Sequence, residues 1–342
     1  MNILIVKLSA IGDVIHTLPS LAALRQRYPD AHITWVVEQA AADLVVRHPL
    51  IDCVIVSERK RWGKDLAAGR LRKTWHNVRA FYSQLRARNY DLAVDFHGLF
   101  KSAVVVGLSG AKRKLGYDSL QELSGLFLNE KIPEDMNKHA VDRYLDFPRH
   151  LGAKVDRVDF VLPANPQADR NATALLSRHG LLDRNFIAIN PVAYWETKLW
   201  NNEKFARLAD MIFERLNLPT VFTGSDVQAI EPIIAAMRTP GINLASRTSL
   251  LELAFIYRKA ITVVTTDSGP MHLAAAVGTK VVALFGATDP ARTGPYGPGH
   301  TVIRSTLPCS PCLLKKCDTM QCMHDITPEQ VFAAVAEKVK QE

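Results

Sequence analysis

Residues 2–29 read NILIVKLSAIGDVIHTLPSLAALRQRYP. The run from Asn2 to Lys7 is short, apolar and rich in Ile and Val, which suits a buried strand. LSAIGD follows as a loop, and residues 14–29 carry the apolar spacing of a helix that Pro29 ends. HITWVVE (32–38) is the next β-type run, residues 39–47 are helical, and DCVIVS (52–57), YDLAVDFHG (90–98), KSAVVVGLSGA (101–111) and HAVDRYLDFPRHLGA (139–153) continue the alternation. Short β-branched runs separated by helices predict a parallel sheet covered on both faces. Residues 161–171, VLPANPQADRN, hold two prolines and no apolar period, and read as a linker. Beyond it the pattern restarts with NFIAIN (185–190), LPTVFTG (218–224), ITVVTTD (261–267) and KVVALFG (280–286) as strands between helices. The expectation is an α/β chain of two domains, 1–164 and 172–325, with a final helix over 326–342 packing back on the first. A ligand in such sheets sits at the C-terminal ends of the strands.

Length agrees: 342 residues at about 150 per domain give two. With 48% hydrophobic and 22% charged residues the composition is that of a globular protein, which excludes disorder, collagen and coiled coil for the chain as a whole. Lys and Arg number 42 against 34 Asp and Glu, a net +8 that suits an anionic partner. MNILIV resembles a signal-peptide core for six residues, but Lys7, Gly12 and Asp13 interrupt it and no cleavage site follows, so a cytoplasmic protein is expected.

Neither G-x-G-x-x-G nor G-x-x-x-x-G-K-[ST] occurs, which disfavours a conventional dinucleotide enzyme or P-loop ATPase. At the first strand-to-helix junction Asp13 either caps the helix or acts as a general base. Lys7 either snorkels from a strand end or points its charge at a ligand. At the second junction, TTDSGPMH (265–272), Asp267, Ser268, Gly269 and His272 surround a helix start whose N–H groups can hold a phosphate. Lys198, between Trp195 and Trp200, is a surface cation or a neutraliser of a leaving diphosphate. The stretch SERKRWGK, followed by Arg70–Lys73, has no nucleic-acid module around it, so a compact anion or an anionic membrane surface fits better than nucleic acid. Cys309, Cys312, Cys317 and Cys322 are spaced C-x2-C-x4-C-x4-C, open to a structural zinc site, two disulfides or free thiols.

ILIVKLSAIGDVIHTLP, KRWGK, DFHGLFKSA, HAVDRYL, TKLW, DSGPMHLAAA and FGATDPARTGPYG, spread over residues 3–297, together resemble the lipopolysaccharide heptosyltransferases of the ADP-heptose-dependent glycosyltransferase family 9. KLSAIGDVIHTLP, KRWGK and HAVDRYL are similar to the branch that adds the first heptose to Kdo. The resemblance implies a GT-B fold: two Rossmann-like domains with parallel sheets facing a central cleft, the first for a Kdo-lipid A type acceptor and the second for ADP-heptose. It implies inversion at the anomeric carbon, no cofactor, and work on the cytoplasmic face of the inner membrane through peripheral contact. It makes Asp13 the general base and Lys198 the phosphate lysine. Gln228, Thr248, Asp267, Ser268, Gly269 and His272 become donor residues with Lys198, and Lys7, Arg59, Lys60, Arg61 and Lys64 acceptor residues.

There are departures. Gln228 stands where a ribose-binding glutamate is expected, and Ala193 and Tyr194 where two threonines precede the lysine. The cysteine run is similar to other branches of the family. A sibling enzyme adding a later heptose or using another nucleotide-sugar, and a non-catalytic binder of a nucleotide-sugar or anionic glycan, stay open as alternatives.

Overall fold

The computed structural model describes residues 1–119, 125–181 and 185–341. They form two compact units, Met1–Ala164 and Asn165–Glu342.

The first unit runs β1 (Asn2–Val6), α1 (Ile11–Arg27), β2 (His32–Glu38), β3 (Cys53–Ser57), α2 (Arg59–Ala67), α3 (Leu71–Leu85), β4 (Leu92–Asp95), α4 (Phe100–Leu108), β5 (Arg113–Tyr117), β6 (Glu130–Ile132) and α5 (Ala140–His150). Its sheet is parallel throughout, in the order β3-β2-β1-β4-β5-β6. β1 is central, and Val6 pairs with Val36 on one side and Asp95 on the other. Ile3, Leu4, Ile5 and Val6 are fully buried, which is why this strand is apolar without alternation.

α1 begins at Ile11, three residues before the expected start. Ala10, at the N-cap, has no side-chain acceptor; Asp13, third in the helix, accepts the Ala10 N–H at 3.1 Å and supplies that bond instead. α2 and α3 occupy the stretch read as a charge run. Asp65, near the end of α2, pairs with Arg70 and Lys73 and so ties the two helices at their junction.

The second unit runs α6 (Pro166–Ser177), β7 (Ile187–Asn190), α7 (Asn202–Leu216), β8 (Thr220–Phe222), α8 (Val227–Ala235), β9 (Gly241–Asn243), α9 (Leu250–Lys259), β10 (Thr262–Thr266), α10 (Gly269–Ala276), β11 (Lys280–Phe285), α11 (Pro290–Thr293), β12 (Thr301–Arg304), α12 (Gln321–His324) and α13 (Pro328–Lys340). The second parallel sheet has the order β12-β11-β10-β7-β8-β9. Both units are therefore Rossmann-like, with helices flanking an open parallel sheet.

Residues 166–171, within the expected linker, are the start of α6. Asn165 accepts the Ala168 N–H at 3.1 Å, and Pro166 suits the first helical position. The closing helix, read from the sequence as returning to the first domain, packs on α7 and on β10, β11 and β12 of its own unit, and its Val331 and Val335 are buried in the second core.

Candidate functional site

In the first unit the strand order reverses at β1, with β2 on one side and β4 on the other, so a crevice opens beyond their C-terminal ends. Lys7 follows β1, Glu38 ends β2 and Asp95 ends β4. Lys7 is buried; its Nζ donates to the Phe96 carbonyl at 2.8 Å and to Tyr144 Oη, from α5, at 2.6 Å. Burial lowers the pKa of this ammonium, while Asp13 and Asp95 pull it back up. Tyr144 in turn directs its hydroxyl toward Asp13 Oδ1 at 3.5 Å, a long contact. Burial raises the pKa of the phenol, and the Asp13 charge raises it further, so it stays a donor. Asp13 itself is half-buried, with Oδ2 taking the Ala10 N–H. One Asp13 oxygen thus serves the helix start, and the other faces a buried cation through a tyrosine.

Asp95 is held below this group by the N–H groups of His97 and Gly98 and by Ser102 Oγ at 2.9–3.1 Å, although burial raises its pKa. The His97 imidazole is pushed down to about 3, by burial first and then by Lys7 and Lys101, with Asp13 and the Ser9 backbone opposing. It is neutral at physiological pH.

The basic run lies at the start of α2. Arg59, Lys60, Arg61 and Lys64 are exposed, and Lys60, Arg61 and Lys64 line a cavity of about 500 Å³ with Glu38, Gln39, Ala40, Ser57 and Glu58. Glu38 is its buried hub, within 3.2 Å of Arg59, 3.6 Å of Lys101 and 3.9 Å of Lys60, and Lys101 also donates to Ser9 Oγ at 2.8 Å. Lys7 stands apart from this cluster, within the buried group behind Asp13.

In the second unit the order reverses between β7 and β10. Lys198, in a 3-10 turn after β7, meets Asp267, just past β10, with Nζ 2.6 Å from Oδ2. Asp267 is 5% exposed and Lys198 16%. Thr288 Oγ1 donates to the same carboxylate oxygen at 2.6 Å, and the Trp195 ring centroid lies 4.6 Å from the lysine Nζ. Ser268 is the N-cap of α10 and Gly269 its first residue, so the amides of a helix start adjoin the ion pair. His272 is buried one turn further on. Gln228, exposed in the first turn of α8, and Thr248, half-buried before α9, belong to neighbouring loops of the unit.

Sequence reasoning missed Glu38, Asp95, Lys101, Tyr144 and Thr288. Glu38 and Asp95 carried the signal used for Lys7, a charge ending an apolar strand. Tyr144 and Thr288 lie inside HAVDRYL and FGATDPARTGPYG, but their partners are remote in sequence and no spacing marks the contacts.

Cys309, Cys312, Cys317 and Cys322 are free thiols; burial raises the Cys322 pKa, and the other three raise it further. Among the described residues no group of three or more His, Cys, Asp and Glu side chains is placed to hold a metal ion. Among the described residues no helix is long and apolar enough to cross a membrane.

The model of glycosyltransferase family 9 (heptosyltransferase) matches residues 78–324. Lipopolysaccharide heptosyltransferase 1 of Pseudomonas aeruginosa is 33% identical over 337 residues, covering 93% of this chain and 87% of that protein. The crystal structure of a family 9 glycosyltransferase from Veillonella parvula superposes with a TM-score of 0.82 at 26% identity, covering 100% of this chain and 97% of that one. The E. coli heptosyltransferase WaaC with ADP-2-deoxy-2-fluoro heptose gives 0.75 at 25% identity, covering 98% and 99%.

Proposed function

From the chain's membership of glycosyltransferase family 9, the heptosyltransferases, we propose that it moves heptose from ADP-heptose to the Kdo region of the lipopolysaccharide inner core, with inversion, at the cytoplasmic face of the inner membrane. Asp13 Oδ1 takes the proton of the acceptor hydroxyl as that oxygen bonds to the anomeric carbon. The bond from that carbon to the diphosphate breaks, and ADP leaves with the electron pair. Lys198 and the amides at Ser268 and Gly269 meet the charge that develops on the leaving phosphate. Asp267 orients Lys198, His272 stands behind the phosphate, and Gln228 and Thr248 take hydroxyls of the donor. Arg59, Lys60, Arg61 and Lys64 bind the acidic acceptor, and Lys7 places its ammonium behind Asp13 through Tyr144.

The observation that carries this reading is the half-buried Asp13 carboxylate beside a buried cation, at the C-terminal edge of the first sheet, in a chain that matches the family across both units. The experiment is turnover with ADP-heptose against acceptors ending in Kdo and acceptors already carrying heptose, with the anomeric configuration of the product read by NMR. Transfer only to the heptosylated acceptor would assign a later step. Retained configuration would refute the single displacement, and donor binding without turnover would favour a non-catalytic binder.

A further inference from the structure

α3 carries an apolar arc wider than its contact with the core needs. Thr74 and Leu85 are buried, and Phe81 packs on the core of the first unit. Leu71, Trp75, Val78 and Tyr82, at steps of four, three and four residues, share the outer flank beside that buried face and are 63%, 63%, 41% and 39% exposed. This stripe is about 16 Å long.

The charge around it has one sign. Between Asp65 and Asp91 the sequence holds no acidic residue and six cations: Arg70, Arg72, Lys73, Arg79, Arg86 and Arg88. Arg70 and Lys73 are used on Asp65. Arg72, Arg79 and Arg86, spaced by seven, run beside the stripe, and among the described residues none of them is within ion-pair distance of a carboxylate. The Arg79 guanidinium lies 5.2 Å from the Trp75 ring centroid and that of Arg86 5.9 Å from Tyr82, so cations and aromatic rings sit at one level.

We propose that the outer face of α3 docks on an anionic lipid bilayer. Leu71, Trp75, Val78 and Tyr82 enter the boundary between headgroups and acyl chains, and Arg72, Arg79 and Arg86 lie on lipid phosphates. A stripe of Leu, Trp and Tyr bordered by cations and free of acids is the chemistry of a helix lying in the membrane interface. Complementarity of charge selects an anionic surface over a neutral one. α2 packs against α3, so docking also brings the basic cavity of Lys60, Arg61 and Lys64 to the plane where a lipid-linked acceptor stands. This last consequence rests on the acceptor proposed above; the docking itself does not.

The test is co-sedimentation of the full chain with phosphatidylcholine vesicles containing 30% phosphatidylglycerol, with no donor or acceptor present. Binding should be at least tenfold tighter than to pure phosphatidylcholine and should weaken with salt. The pair Trp75→Ser and Leu71→Ser should lower it at least tenfold. The pair Arg72→Gln and Arg79→Gln should lower it severalfold and flatten the salt dependence. Turnover of a deacylated, water-soluble acceptor, measured in parallel, should stay at wild-type level in both variants. Its absence in the wild type would refute the proposed reaction while leaving vesicle binding to judge this face. Unchanged vesicle binding in both folded variants would overturn the proposal. So would a wild-type dimer in sedimentation velocity that Trp75→Ser converts to monomer, because the stripe would then cover a second copy of the chain. If the serine pair fails to fold, Trp75→Gln alone, checked by circular dichroism, carries the same prediction.

Discussion

Asp13 and Asp267 each follow the central strand of a parallel sheet, and the two carboxylates are placed for different work. Asp13 is half-buried and meets the buried Lys7 ammonium through Tyr144. Asp267 is buried and holds Lys198 directly, at 2.6 Å. A carboxylate that meets a buried cation through a tyrosine hydroxyl can still accept a proton. One bonded to an ammonium and a threonine hydroxyl has its acceptor capacity used and serves to aim its partner. The first arrangement suits a base, and the second suits a cation presented to an anion.

The sharpest test of that contrast is Asp13→Asn. The amide oxygen still accepts the Ala10 N–H, so the helix start survives while the base is lost. General-base assistance is typically ~10²–10⁴ in rate, so kcat in steady-state turnover should fall by that order with donor affinity and Tm nearly unchanged. Near-wild-type kcat, with chemistry rate-limiting, would remove Asp13 from the reaction.

Asp267→Asn should behave differently, and that difference is the second test. Lys198 would lose its counter-charge, so both folding and donor handling should suffer. A broken buried pair costs about 3–5 kcal/mol, and the partial exposure of Lys198 reduces this to about 2. Lys198→Gln should lower kcat/KM about 10²-fold through the donor, and adding Asp267→Asn should bring little further loss, as expected when one residue acts through the other. Two independent, multiplying losses would mean that Asp267 touches the substrate itself.

The two sites also differ in how much of them could be read from the sequence. The donor side was legible because its parts are nearly consecutive: strand, Asp267, Ser268, Gly269, Pro270, helix. Its missing piece was the bond to Lys198, which only the pairing of β7 with β10 brings about. On the other side, Asp13 was visible at its junction, but its surroundings come from β1, β4, α5 and the start of α1, and no spacing announces that Tyr144 reaches Lys7. The alternating runs showed the apolar strands of both sheets, because a strand covered on both faces must be apolar throughout, but not β5, β6, β9 and β12, which are partly exposed and carry no such run. They failed at residues 59–85, where α2 and α3 expose so much charge and apolar surface together that neither helix carries a simple one-sided pattern.

Arg61→Ala makes a smaller and more selective change. Arg61 lines the basic cavity and pairs with half-buried Glu58, three residues before it. A surface pair of this kind contributes about 0–1 kcal/mol to folding, so stability should hold. The acceptor KM should rise about tenfold, the size of one lost charge-assisted bond, and the donor KM should stay put. Equal weakening of both would join the two sites that the contrast keeps separate.

The smallest effect belongs to His97, and it tests whether the charge near Asp13 is fixed. With its imidazole held at about 3 when folded against an ordinary 6.5, the unfolded chain binds the proton first as pH falls. Stability from this group is therefore complete above pH 6.5 and is lost progressively down to about 3. By pH 5.5 the loss is about 1 kcal/mol. His97→Gln should remove that limb, so that the difference in unfolding free energy between variant and wild type, measured in urea from pH 7 to 4.5, shifts in favour of the variant as pH falls. Asp95, whose raised pKa gives the opposite slope, is present in both proteins and cancels in the difference. Because His97 is already neutral at neutral pH, its replacement should leave the acid limb of kcat where it was. A moved kinetic limb with a flat stability difference would mean that His97 titrates in the working range, and the surroundings of Asp13 would then include a second group that takes up protons.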